Sequence, residues 1–405
     1  MAAPALSGRP RSRGDRCRPL RARYQQPGRS RQRRQHAMSH RILLVSRGLD
    51  AVGTGREVLQ AARGLLDAGH EVHLALTTRP ASVATAAAAA GVMVHALSHR
   101  PEPSGASLAG VAHQITRLKP QLVASWGWSS ARVTGAALKG AGLRHRPTWL
   151  ASLAGPRRPA TAAARWLTRR LLAGCNLVLA STEATADTCQ RLGVAPWQIR
   201  LSPPGIGEAT EPTQSRADIA EQLSLPLETT WTLCVAPLVA RSRLERLVWA
   251  ADQLDVVHRG LTHVLIGHGP LGPQLARRAR AQEAASRIRL LPTCDVLADL
   301  LPHVRLVWQT GEVAHGGVLV DALAAGVPAV AIKGDAAANI IEDSVTGSLV
   351  PADPPSELPR RGLPLIEDDA LHTRFATASK ACAAAVFPLE AALERQRTAI
   401  EELLG

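Results

Sequence analysis

The sequence predicts an α/β protein built from two doubly wound domains that face each other across a cleft, preceded by a disordered tail. Three observations predict it. From residue 41 onward, short apolar runs alternate with amphipathic stretches, the pattern of parallel strands joined by helices. The alternation lapses over residues 208–230, which are rich in Glu, Thr, Pro and Ser, and then restarts, as an interdomain connection requires. Finally, the longest apolar stretch, Gly316 to Ile332, is interrupted by Asp321 and Pro328, so no membrane-spanning helix is expected.

Composition narrows the class further. The 405 residues are 46% hydrophobic and 20% charged, which excludes disorder for the body of the chain. The formal charge of +15 is unevenly placed, because residues 1–37 hold eleven Arg against the single acid Asp15. With 44 Arg and four Lys, the Arg excess also fits GC-rich coding, so the high charge is weak evidence for a nucleic-acid partner and none is expected. Residues 1–38 show no hydrophobic periodicity and read as a disordered Arg-rich tail. Met38 stands just before the first strand, so the tail also reads as a start-site artefact. The six cysteines lack Cys-x-x-Cys spacing and mostly sit in apolar runs, which predicts buried free thiols in a reducing compartment and no metal site.

The elements follow in order. Ile42–Val45 is the first strand and runs into Gly53-Thr54-Gly55. Val58, Leu59, Ala62, Leu65 and Leu66 then recur at helical spacing, and Gly69 ends that helix. Further strands are expected at Val72–Leu76, Val92–Leu97, Leu122–Ala124, Trp149–Leu153, Leu177–Ala180 and Ile199–Ser202, giving one domain over residues 39–207. A short helix at 216–223 interrupts the 208–230 linker. The second domain, 231–387, shows strands at Leu233–Ala236, Val264–Ile266, Arg289–Leu291, Leu306–Trp308 and Ala329–Ile332. Its helices fall near 244–254 and 317–325. The last segment, 388–405, opens on Pro388, a good first-turn residue, and carries one apolar face of Leu389, Leu393, Gln396, Ile400 and Leu403. Two such domains bring the carboxyl ends of both sheets and several helix N-termini to one cleft, where free N–H groups and the helix dipole favour phosphate.

Four stretches carry a family resemblance: Gly53-Thr54-Gly55 with Leu65 to Val72; Gly174 to Glu183 with Pro203-Pro204-Gly205-Ile206; Val264 to Pro270; and Asp321 to Pro328 with Ile341 to Gly347. In this order they resemble the GT-B glycosyltransferases of family 4, over nearly all of residues 41–387. The resemblance implies two Rossmann-like domains and a final helix that packs back on the N-terminal one. It implies transfer of a sugar from a nucleotide-sugar donor, held by the C-terminal domain, to a glycan or lipid-linked acceptor held by the N-terminal domain. Retention of configuration, no metal or other cofactor, and a cytoplasmic site of action are implied as well, with peripheral contact at the inner membrane face as a variant.

Aligned on Ala325-Gly326-Val327-Pro328, the family's ribose-gripping carboxylate corresponds to Asp321, and its Gly-Phe-Gly to Ala314-His315-Gly316. Its first Glu corresponds to Val313, with Glu312 one residue away. The diphosphate clamp of Arg and Lys corresponds to Pro237 and Ser242, flanked by Arg241 and Arg243, and a further Glu corresponds to Asn339. The catalytic candidates are therefore His315, Arg241 and Arg243; the donor-binding candidates are Gly267, Gly269, Glu312, Gly316, Asp321 and Asn339. Gly53, Gly55 and Trp126 are the acceptor candidates, Trp126 replacing a His that the family often carries there. Each has a plainer reading: His315 as a solvated loop residue, the arginines as a solvated pair, the glycines as packing, Trp126 as core. The lost clamp and first Glu also leave open a catalytically degenerate relative that binds sugar nucleotides or a partner, and a sugar-nucleotide epimerase of the same architecture.

Overall fold

The computed structural model describes residues 39–48, 52–80, 82–100, 103–140, 146–155, 161–207, 212–281, 285–311 and 314–405. The tail expectation and Glu312 lie outside them. Among the described residues thirteen strands form two sheets, and every pairing is parallel. The first sheet contains β1 (Arg41–Ser46), β2 (Glu71–Leu76), β3 (Met93–Ala96), β4 (Leu122–Trp126), β5 (Thr148–Leu153), β6 (Leu177–Ala180) and β7 (Ile199–Leu201). Its order is β3-β2-β1-β4-β5-β6-β7. The second contains β8 (Thr230–Val235), β9 (Leu261–Ile266), β10 (Ile288–Leu291), β11 (Leu306–Gln309), β12 (Ala329–Ile332) and β13 (Gly347–Val350), ordered β10-β9-β8-β11-β12-β13. The order reverses between β1 and β4 and between β8 and β11, which opens a crevice at the carboxyl end of each sheet.

Strands covered on both faces need apolar side chains on both, and Ile42 through Val45 are each fully buried. One face of β1 and β2 takes Val58, Leu59, Ala62 and Leu65 of the helix Thr54–Asp67. The last helix, Leu389–Leu404, adds Ala399 and Ile400 to that same N-terminal core, with Leu393 beside Gly64. The other face is covered by the helices Gly105–Leu118, Trp128–Gly140 and Ala162–Leu172. Two crossings join the lobes side by side: the Ile206 N–H donates to the Phe387 carbonyl at 2.8 Å, and the Leu389 N–H returns a bond to Ile206 at 3.1 Å.

β13 and the helices Glu357–Glu367 and Asp369–Val386 are additions to the sequence reading. Pro364 inside the first of these helices hid it, since proline removes a helical hydrogen bond. Cys175, Cys189 and Cys234 are free and buried, and burial pushes each thiol up to about 12, so they are packing groups and not nucleophiles. Among the described residues no helix is long and apolar enough to cross a membrane.

Candidate functional site

The lobes touch where the carboxyl ends of the two sheets meet. β1 leads to Gly53 and to the N-terminus of the helix Thr54–Asp67, and β11 leads to the turn Ala314–Gly317. That turn places three successive residues in the left-handed region: His315 at φ 49°, Gly316 at 76° and Gly317 at 50°. Glycine takes this conformation freely, whereas His315 holds it against a steric cost typical of over-determined functional turns. Gly53, also left-handed at φ 51°, lies so close to the turn that a Cβ there would stand 2.5 Å from the Ala314 carbonyl oxygen.

The reason for the turn is visible in its partners. Arg56, two residues into the helix and 5% exposed, crosses the seam. Its guanidinium donates to the His315 carbonyl at 2.9 Å and the Gly317 carbonyl at 3.0 Å, and it forms an ion pair with Asp321. The left-handed turn is what directs two carbonyls to one cation. The His315 ring is buried between the Thr54 hydroxyl, 3.2 Å from Nδ1, and the Ser152 hydroxyl at the end of β5, 3.3 Å from Nε2. Burial, with the neighbouring Arg56 charge, brings its pKa down to about 3, so the imidazole is neutral and donates from one nitrogen while accepting at the other. It is therefore no proton reservoir at neutral pH, and the solvated-loop reading of it is excluded.

Asp321 sits in the helix Leu319–Ala325. Burial pushes its pKa up, and Arg56 opposes that shift. A second interlobe bond runs from the Thr182 hydroxyl, the N-cap of the helix Glu183–Arg191, to Asp335 at 2.6 Å. Burial raises the pKa of Asp335 too. Beside it, the Asn339 amide donates to the Asp335 carbonyl at 2.7 Å.

The remaining candidates fall into three places. Gly55 lies buried in the first turn of the helix that presents Arg56, within the seam. Trp126 is 1% exposed inside the N-terminal core, so its ring faces packed side chains and not the cleft. Arg241 and Arg243 are exposed on the loop after β8, with Arg243 left-handed at φ 49°. Gly267 and Gly269, after β9, pack against that loop's base: added Cβ atoms would stand 1.9 Å from the Ala236 oxygen and 2.5 Å from the Leu238 oxygen. The structure thus joins Gly53, Gly55, His315, Gly316 and Asp321 at one seam, and holds Arg241 and Arg243 on a neighbouring loop of the C-terminal lobe.

Arg56 escaped the sequence reading. Its partner Asp321 is 265 positions away, and the local signal is no more than its spacing three residues before the apolar Leu59.

Two family profiles match in series: Glycosyltransferase Family 4 over residues 52–209, and Glycosyl transferases group 1 over residues 230–368. The chain belongs to the family-4-like GT-B glycosyltransferases. It is 28% identical over 220 residues to a D-inositol 3-phosphate glycosyltransferase of Streptomyces bingchenggensis, an alignment covering 51% of this chain and 48% of that protein. It is 33% identical over 126 residues to a phosphatidyl-myo-inositol mannosyltransferase of Mycobacterium tuberculosis, covering 29% of this chain and 32% of that one. The chain therefore matches about half the length, or less, of these curated relatives. Among solved structures, Anabaena Alr3699/HepE in complex with UDP and glucose aligns over 90% of this chain and 100% of its own, at TM-score 0.75 and 18% identity. WaaG, a glycosyltransferase of lipopolysaccharide biosynthesis, aligns over 88% and 99% at TM-score 0.67 and 15% identity. At these identities the structures establish the shared fold.

Proposed function

We propose that the protein transfers a sugar from a nucleotide-sugar donor, seated on the C-terminal lobe, to an acceptor seated on the N-terminal lobe, with retention of configuration and without a metal ion. The observation that carries the proposal is the seam itself. The carboxyl ends of two parallel sheets meet there, and groups from both lobes converge on it. Positive charge for a departing diphosphate comes from Arg241 and Arg243 and from the helix N-terminus at Thr54, which is electrostatic stabilisation of leaving-group charge. The Gly316 backbone lets the donor approach closely, and Asp321 offers a carboxylate to the ribose hydroxyls. Because Gly53 rests against Ala314, the donor enters when the lobes part. The names of the curated relatives point to a cyclic polyol such as an inositol, free as the phosphate or lipid-linked, as acceptor.

A second reading has one observation behind it. Pro237 and Ser242 occupy the places where the resemblance expects the clamp, and the Ser242 hydroxyl is spent on the Pro237 carbonyl at 2.6 Å. That favours a protein that binds sugar nucleotides without turning them over. Calorimetry with UDP-glucose and GDP-mannose, followed by product analysis with inositol phosphate, separates the two. Binding of one donor is expected, weakened roughly 10- to 100-fold by the paired change Arg241→Ala and Arg243→Ala, since a charge-assisted contact contributes about 1.5–3 kcal/mol. Binding without transfer to any acceptor or to water selects the second reading. Failure of every nucleotide sugar to bind removes both.

A further inference from the structure

We infer that Arg56 is the N-terminal lobe's own ligand for the donor diphosphate. Asp321 holds it while the cleft is empty, and the phosphates receive it when the donor's ribose takes Asp321. The inference rests on the donor reading above and adds to it a residue from the opposite lobe.

The first observation is that two partners claim one carboxylate. Asp321 is the group offered to the ribose hydroxyls, yet its Oδ2 is already bound by the buried Arg56 guanidinium. Arg56 reaches across from the third residue of the helix Thr54–Asp67, with the carbonyls of His315 and Gly317 on its other N–H groups. A ribose diol that uses both oxygens of Asp321 must displace the guanidinium from one of them.

The second observation is space. The cavity between the lobes beside His315 and Gly316, bounded also by Thr182 and Asn339, measures about 10 Å³, room for no more than one water. A donor enters only with the lobes parted. Parting leaves Asp321 on the C-terminal lobe and carries Arg56 away on the N-terminal one.

The third observation is an unused hydrogen-bond donor. Nη1 and Nη2 of Arg56 are engaged, but its Nε–H is buried with no partner among the described residues. A buried N–H in that state is costly, and an incoming acceptor atom relieves it. Glu57, the neighbouring acid, is turned to the Gln396 amide of the last helix. With Asp321 given to ribose, reclosing the seam would therefore bury the Arg56 charge without a carboxylate, which is strongly unfavourable. The diphosphate is the anion that the donor itself brings to the seam. A guanidinium fork offers phosphate two N–H groups at once, and Arg56 stands on the helix whose N-terminus also favours that charge.

Calorimetry on the full chain tests the assignment, comparing UDP and GDP with uridine and guanosine. The parent is expected to bind one diphosphate more tightly than its nucleoside. Arg56→Met is expected to narrow that gap roughly 10- to 100-fold, the range of one charge-assisted contact. The nucleoside itself is expected to bind as well as before or better, because its rival for Asp321 is gone. Arg56→Lys keeps a cation without the fork and is expected to fall between the two. Melting curves verify that each variant is folded, and should Arg56→Met melt below the assay temperature, Arg56→Lys carries the comparison. A gap that neither variant changes, or an equal loss for diphosphate and nucleoside, overturns the inference and leaves the donor reading standing. A parent that binds neither diphosphate removes the donor reading, and this assignment with it.

Discussion

Asp321→Asn is expected to destabilise the closed arrangement of the lobes by about 3–5 kcal/mol, the usual cost of removing one partner from a buried ion pair. Arg56 is 5% exposed, so without Asp321 its positive charge remains in the seam, held among the described residues by the carbonyls of His315 and Gly317. The chain has a cheaper escape than unfolding. Arg56 and Asp321 belong to different lobes, and parting them returns the guanidinium to water. The expected result is a larger radius of gyration by X-ray scattering together with an earlier thermal transition. Arg56→Met is expected to cost less, because Asp321, whose pKa burial already raises, can take up a proton when its partner is gone. Combining the two changes leaves neither charge behind and is expected to be less harmful than Asp321→Asn alone. Parent-like scattering and melting for Asp321→Asn would show that the pair does not hold the lobes together.

The same pair marks the boundary of what the sequence discloses. Parallel strands announce themselves locally: Leu177–Ala180 and Ala329–Ile332 are found at the residues that their apolar runs indicate, and the short linker helix at 216–223 is found where its spacing puts it. β13 is only four residues long and half of it is Gly347 and Ser348, so no run stands out. The site is less legible because it is made by contacts across the seam. His315 lies beside two glycines and looks like a solvent loop in one dimension, yet Thr54 and Ser152 enclose its ring from the other lobe. Trp126, placed by resemblance at a strand end facing an acceptor, turns into the core because its position on β4 points to the buried face. Arg56 and Glu57 look like a solvated first-turn pair. Helical spacing alone puts Arg56 three residues before Leu59 and Glu57 eight before Leu65, on a face the fold buries from two directions.

Glu57 supplies the other large effect, in pH dependence. It is 1% exposed and accepts a bond from the Gln396 amide of the last helix at 3.1 Å, while its Oε1 has no partner among the described residues. Burial is the dominant influence and outweighs the nearby Arg56 and Arg395 charges and the Gly205 N–H, raising its pKa from an ordinary 4.5 to about 7. Between those values the folded chain retains a proton that the unfolded chain has released. Stability from this group therefore falls as pH rises from about 4.5 to about 7, by roughly 3 kcal/mol in total, and is flat outside that window. His315 and His263 act in the opposite sense. Their folded pKa values lie at about 3 and about 4, below the ordinary 6.5, so their contribution rises with pH up to about 6.5. The parent's net profile mixes both. Glu57→Gln isolates one of them, since it keeps the shape of the neutral carboxyl and leaves both histidines in place. Urea unfolding of parent and variant is expected to coincide near pH 4.5 and to diverge above it, the variant gaining up to about 3 kcal/mol by pH 8. A difference that stays constant across the series would mean that Glu57 is already ionised in the fold at low pH. The junction of the last helix with the Gly205 crossing would then hold a paired anion in place of a proton.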